Sequence, residues 1–295
     1  MSTVDASLPA ARPSGNEGRL SAGTSWLLMT PLLALFALIF VVPVIGMLQQ
    51  SAFDPDFTTR HFEQAMSRPL YVRIILRTLR ISAIVAVGAL LLGYPVAYLM
   101  ARAKGWQAAL IGACVLIPLW TSVLVRSYAW TVLLARNGLV NNGLAGLGLT
   151  DAPLRLLYTE GAVTVAMIHV LLPFMVLPLY AVLRTIPTDL TQAAFGLGAS
   201  GFQVFRRITL PLSMPGVTSG LVMVFILAIG FYVTPALVGG SQNMMVAQLI
   251  ATEIAEAPTW GFGAALSTIL LLTTLGLMAI FHRAINFERL AGDQS

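Results

Sequence analysis

The stretch Ile186-Pro-Thr-Asp-Leu-Thr-Gln-Ala-Ala-Phe-Gly-Leu-Gly-Ala-Ser-Gly-Phe-Gln-Val-Phe-Arg-Arg-Ile-Thr-Leu-Pro211 governs the reading of the whole chain. It is the one long segment that is mostly polar and still built to form helix. Thr188 or Asp189, just after Pro187, supplies an N-cap for a helix opening about Leu190. Gly198 is placed to end that helix in the left-handed conformation. Ser200 can cap a second short helix through Phe202 and Phe205 to Arg207, after which Thr209-Leu-Pro turns the chain towards the next apolar run. Ala193, Ala194, Gly196 and Gly198 are small enough to let a partner approach closely, while Phe195, Phe202 and Phe205 are apolar anchors in a polar setting. A helix presenting such anchors to a groove is an established recognition mode.

On both sides of this segment the chain is strongly apolar. Of 295 residues, 57% are hydrophobic and 10% charged, and the mean hydropathy is +0.84. A soluble domain carries about a quarter charged residues, so the composition is that of a membrane protein. Crossing the hydrocarbon core takes about 20 mostly apolar residues. Six runs meet this: Trp26–Leu48, Leu79–Ala101, Ala108–Leu134, Gly161–Leu183, Pro215–Gly239 and Phe262–Phe281. The fold expected is therefore all-α, a polytopic membrane helix bundle of about six spans with a helix–turn–helix loop at 184–214. Residues 1–25, rich in Ser, Ala, Gly and Pro, are expected to form a disordered arm, and 286–295 a short tail. Trp26–Leu48 exceeds the apolar core of a signal peptide and lacks a clear cleavage site, so it is expected to remain as a span. Tyr71 to Arg77 has the amphipathic pattern of a helix lying at the membrane interface.

Seventeen basic residues against twelve acidic ones give a net charge of +5, and the basic ones lie mostly between the runs, which fits contact with lipid headgroups better than nucleic acid. Placing the N-terminus inside puts nine of them on the inner side and seven on the outer, which leans towards that orientation. Cys114 lies alone in an apolar run and reads as a small buried residue. His61, His169 and His282 fall in different segments, so neither a metal site nor acid–base chemistry is indicated. No G-x-x-x-x-G-K-[ST] sequence is present, so ATP hydrolysis is not expected in this chain.

The spacing inside the opening stretch resembles the cytoplasmic loop signature of permeases of binding-protein-dependent ABC importers: Glu-Ala-Ala, three residues, Gly, nine residues, Ile, one residue, Leu-Pro. Here Gln192-Ala193-Ala194, Gly198, Ile208 and Leu210-Pro211 match each spacing, with Gln192 in place of the usual Glu. The resemblance implies that the loop docks into a groove on an ATPase subunit, which places it, and the N-terminus, on the cytoplasmic side. Gln192 removes any ion pair the Glu would make while keeping the capacity to hydrogen-bond. Further stretches resemble the spermidine/putrescine-type branch: Leu92–Leu99, Pro118–Trp130, Leu172–Tyr180, Tyr232–Gly240 and Trp260–Ser267. The resemblance spans residues 26–285. It implies an inner-membrane subunit working with a sister permease chain, two cytoplasmic ATPase subunits that bind ATP and Mg, and a periplasmic substrate-binding protein. This chain would itself bind no cofactor.

For a translocation path the candidates are Trp120, Arg126, Tyr128, Trp130, Tyr232, Thr234 and Pro235. Arg126 is the only charge well inside a span, where such a group either faces protein or water or snorkels to the interface. His169 suits an interhelical hydrogen bond better than a proton relay. The spans hold no carboxylate, so a polyamine, which the resemblance suggests, would need compensation from aromatic faces or from the binding protein. Another amine, an amino-acid derivative, an opine or a phosphonate would suit the same class of importer. An ATP-independent carrier is the competing class, and the loop spacing argues against it.

Overall fold

The computed structural model describes residues 22–53, 56–256 and 260–292. Residues 1–21 and 293–295, most of the expected arm and the end of the expected tail, lie outside the described residues. All regular elements among the described residues are helical. Five helices are long and apolar enough to cross a membrane, or six if one bent pair counts as a single span. The all-α polytopic bundle expected from the sequence is what is found. The chain divides into two compact units, 1–49 and 50–295.

The first unit carries α1 (Ala22–Phe36) and the start of α2 (Val42–Ala52), joined by a π turn at Ala37–Val41. From Trp26 to Val42 its apolar side chains are exposed, Leu27 to 73% and Leu32 to 67%. The π turn has a local cause. Pro43 has no N–H, and its ring would press on the carbonyl four residues earlier, at Ile39. Widening the turn, with the Val42 N–H reaching back to the Ala37 carbonyl, relieves that contact.

In the second unit, α3 (Arg60–Ser67) is followed at once by α4 (Pro69–Arg102), with Pro69 in the first turn, where a missing N–H costs nothing. The amphipathic segment Tyr71–Arg77 is thus the N-terminal end of a 34-residue span and not a separate interfacial helix. No Gly or Pro interrupts residues 70–87, and at about 1.5 Å per residue the helix is long enough to project beyond the hydrocarbon. The expected third span is broken: α5 (Trp106–Trp120) and α6 (Val123–Leu133) meet at 100°. Backbone and hydroxyl of Thr121 both bond to the Pro118 carbonyl, and Ser122 caps α6 by accepting from the Leu124 N–H. A short α7 (Leu139–Gly146) leads to α8 (Glu160–Thr185), then α9 (Thr188–Gly196) and α10 (Gly201–Val204). A π turn at Phe205–Thr209 passes directly into α11 (Leu210–Ile229), so no turn separates the loop from the fifth span. The cause is the one seen at Pro43: the Leu210 N–H bonds to the Phe205 carbonyl, making room for Pro211. The fifth span ends at Ile229, short of the expected Gly239, and a third π turn covers Pro235–Gly239. Finally α12 (Val246–Glu256) and α13 (Gly261–Gly292) pack with α3 and the start of α4 through Tyr71, Leu249, Phe262 and Leu266.

The core is formed by α4, α8 and α11. Along α8, Val163, Met167, Leu171, Met175 and Leu179 are each at most 1% exposed. They recur every fourth residue, one ridge of the helix surface. Because lipid tails are as apolar as these side chains, close contact and not exclusion from water holds the trio. Gly216 and Gly220 on α11 permit that contact: a Cβ at Gly220 would stand 2.6 Å from Met175 Sδ, and one at Gly216 would stand 3.2 Å from the Leu179 Cα. Tyr94 and Ser213 hydrogen-bond at 2.8 Å between α4 and α11.

Candidate functional site

Two regions hold the candidate residues. In the first, α9 begins at Thr188 with Pro187 as its N-cap, two residues earlier than the spacing suggests, and without a side-chain cap. Gly198 adopts φ +82°, a conformation that costs an L side chain roughly 1–2 kcal/mol. Its N–H bonds to the Phe195 carbonyl, and that of Ala199 to the Ala194 carbonyl, closing the helix end. Ser200 then opens α10 with a capping box, accepting from the Gln203 N–H while its own N–H donates to Gln203 Oε1. The result is a rigid helix–turn–helix held almost entirely by local bonds.

Its outward surface is apolar. Phe195 is 51% exposed, Phe202 71% and Leu197 89%. Gln192, Ala193, Gly198 and Pro211 are also exposed, and Ala194, Ile208 and Leu210 are half-buried. Leu197, the C-cap of α9, is not foreseen by the motif, yet it is more exposed than either phenylalanine. Phe205, expected as a third anchor, turns inward instead, edge-on to Tyr94 and Tyr98 at 5.7 and 6.0 Å. The π turn rotates it onto α4.

The second region surrounds the break between α5 and α6. Arg126 is buried against α8, its guanidinium 3.4 Å from the Val170 carbonyl and its Nε without a partner. It thus faces protein and does not snorkel. Trp130 donates from Nε1 to His169 Nδ1 at 3.3 Å, an interhelical bond. Thr234 is fully buried and bonds Ser127 at 2.7 Å, tying α6 to the start of the turn that contains buried Pro235. Trp120, Tyr128 and Tyr232 are exposed, and their side chains make no hydrogen bond among the described residues. The structure thus joins Arg126 and Trp130 to α8, joins Thr234 to α6 through Ser127, and leaves three aromatic residues unengaged. Sequence reasoning missed Ser127, whose role is visible only when its partner 107 residues away is in place.

At the far end of α8, Glu160 is shared by Arg77, at 3.0 Å, and Arg80, and Arg77 also donates to the Gln242 carbonyl at 2.7 Å. Tyr158, at φ +63°, is held by its N–H to the Val238 carbonyl and by Asn243 on its own carbonyl. No group of three or more metal-ligating side chains occurs among the described residues.

Residues 89–290 match the family described as the binding-protein-dependent transport system inner membrane component. The spermidine/putrescine transport system permease protein PotB of Escherichia coli K12 is 35% identical over 226 residues, 77% of this chain and 82% of that protein. PotB of Haemophilus influenzae is 37% identical over 216 residues, 73% and 76% of the two chains. Among solved structures, a chain of a bacterial ABC transporter involved in the import of the acidic polysaccharide alginate superposes with a TM-score of 0.70 at 22% identity, covering 88% of this chain and 96% of that one; the likeness there is one of fold. With its apolar helix bundle, its helix–turn–helix and a match across two thirds of its length, the chain belongs to the family of inner membrane components of binding-protein-dependent transport systems, as a multi-pass permease subunit.

Proposed function

We propose that this permease passes a small polar solute, a polyamine such as spermidine or putrescine, from a periplasmic binding protein to the cytoplasm by alternating access. It works beside a sister permease chain, and two cytoplasmic ATPase subunits that bind ATP and Mg drive the cycle. The helix–turn–helix is the element that docks on the ATPase. The observation that carries this reading is the exposure of Phe195, Leu197 and Phe202 on a loop held rigid by its own caps. Three large apolar side chains beyond the end of a span have neither lipid nor core to enter, and a protein groove is what accommodates them. Arg102, Lys104 and Arg184 lie at the same end of the bundle, which supports a cytoplasmic loop and a cytoplasmic N-terminus.

The identity with two spermidine/putrescine permeases supports the polyamine. Among the described residues the spans contain no carboxylate except Glu160 at the mouth of α8. An ammonium group in transit is therefore met by aromatic faces, for which exposed Trp120, Tyr128 and Tyr232 are available. Selectivity then rests largely with the binding protein. The test is ATP hydrolysis by the reconstituted complex of this chain with its sister permease, ATPase and binding protein. Binding protein loaded with spermidine or putrescine should stimulate it, and the Phe195→Ala/Phe202→Ala variant should lose the stimulation while still assembling the permease pair. Stimulation by a different ligand discards the polyamine and keeps the importer. An assembly that never recruits an ATPase refutes the reading altogether.

A further inference from the structure

Where the helix–turn–helix joins the bundle there is a cavity of about 240 Å³, with Tyr98, Arg102, Arg184, Thr188, Thr191 and Thr209 among its lining. Arg102 and Arg184 have no carboxylate partner among the described residues. Each is steadied by a tyrosine instead. Arg102 lies 4.9 Å from the Tyr98 ring centre, and Arg184 lies over Tyr180 and donates to its hydroxyl at 3.1 Å. Most of their N–H donors remain unspent. Thr209 is more telling. It is 1% exposed, and its hydroxyl has no partner. Thr30, Thr78, Thr164, Thr218, Thr268 and Thr274 all donate to the carbonyl four residues back. Thr209 closes the π turn, where the helical spacing is disturbed, and makes no such bond. A buried hydroxyl is costly to leave unpaired.

We propose that this cavity is an anion site that takes a phosphate group, either a free phosphate ion or the headgroup phosphate of an acidic phospholipid. Residues that carry donors line it from three elements: Arg102 and Tyr98 on α4, Arg184 on α8 and Thr209 on the π turn. Donors converging from three sides suit a tetrahedral anion better than the two coplanar oxygens of a carboxylate. The uncapped first turn of α9 adds the positive end of a nine-residue helix. Asp189, the acidic residue of that turn, is exposed and not part of the lining. A phosphate held there ties the π turn to α4 and α8, and so stiffens the base of the helix–turn–helix.

Binding does not depend on the function proposed above; its effect on hydrolysis rests on that reading. The experiment therefore measures both on the assembled transporter in phosphatidylcholine nanodiscs. Equilibrium dialysis with radiolabelled orthophosphate reads the free ion. Native mass spectrometry of discs doped with phosphatidylglycerol reads the lipid, and competition between the two shows whether they share the site. Thr209→Val, close in shape but without the donor, should weaken binding about tenfold, as expected for one hydrogen bond to a charged group. Arg184→Gln should weaken it further, and Thr209→Ser should restore it. Failure of the wild type to retain either orthophosphate or phosphatidylglycerol overturns the site. So does a result in which these variants loosen only the ATPase, because an acidic side chain of that partner would then be the occupant. Intact binding without any change in stimulated hydrolysis keeps the site and counts against the docking role of the loop.

Discussion

Around Glu160, at one end of the 50–295 unit, Arg77 and Arg80 share a carboxylate and Arg77 also reaches the carbonyl of Gln242. Around Thr209, near the other end of α8, Arg102 and Arg184 meet only tyrosine rings and a tyrosine hydroxyl. The apolar surface is present at both ends, and what differs is how the loops that carry it are held. Phe195, Leu197 and Phe202 stand exposed on the helix–turn–helix, and Leu139, Leu147 and Leu149 stand exposed near Glu160, but there the loop backbone is held by Asn243 on the Tyr158 carbonyl and by Asn141 on the carbonyls of Ala135 and Leu154. One end pairs its arginines with a carboxylate of the chain; at the other, the proposed function has a partner complete the set. Interactions made inside a chain appear as stability, and those made with a partner appear as activity, so the two ends should separate under mutation.

The largest effect is expected on the exposed surface of the loop. Leu197→Asp should cut ATPase affinity on the order of a hundredfold, the scale of a buried interface anchor replaced by a charge. The thermal midpoint of the permease in detergent should not move, and a fall in that midpoint would show Leu197 to be structural. Gly198→Ala should be intermediate: φ +82° makes it cost about 1 kcal/mol of local stability, read as faster amide exchange over 193–200 and a partial loss of stimulated hydrolysis. The smallest effect is expected at Glu160→Gln. Its ion pairs are partly exposed, with side-chain accessibilities of 27% and 60% for the arginines and 35% for the glutamate. After allowance for solvent screening they are worth under about 1 kcal/mol, seen as a slightly lower unfolding midpoint with stimulated hydrolysis per assembled complex unchanged. Large loss of hydrolysis from Glu160→Gln would erase the contrast between the ends.

The two regions also differ in how far they could be read in advance. Most of the helix–turn–helix was legible because its rules are local: a left-handed glycine at 198 and a cap at Ser200 are where the sequence puts them, whereas the expected Thr188 or Asp189 cap gives way to Pro187. The spans were legible as apolar runs, but their breaks were not. Hydropathy cannot distinguish Pro118, after which the chain bends by 100°, from Pro173 or Pro178, over which α8 continues. The difference lies in Thr121 and Ser122, whose hydroxyls satisfy the freed backbone and start a new helix. Long-range bonds such as Ser127 to Thr234 leave no trace in a run of sequence. Phe205 was misplaced for a related reason: a side chain's direction depends on helical register, and the π turn shifts the register at that residue.

That π turn also bears on why the spacing between Gly198 and Leu210-Pro211 matters. An α-helix advances about 100° per residue, so the one residue accommodated by the wider turn acts as a phase setting between the loop and the fifth span. Deleting a single residue from 205–209 would leave composition and hydropathy almost unchanged. It would swing α9, with Phe195 and Leu197, by roughly that angle about the axis of α11, aiming the same apolar surface at the wrong neighbour. The motif is in this sense a gear whose tooth count is fixed by Pro211.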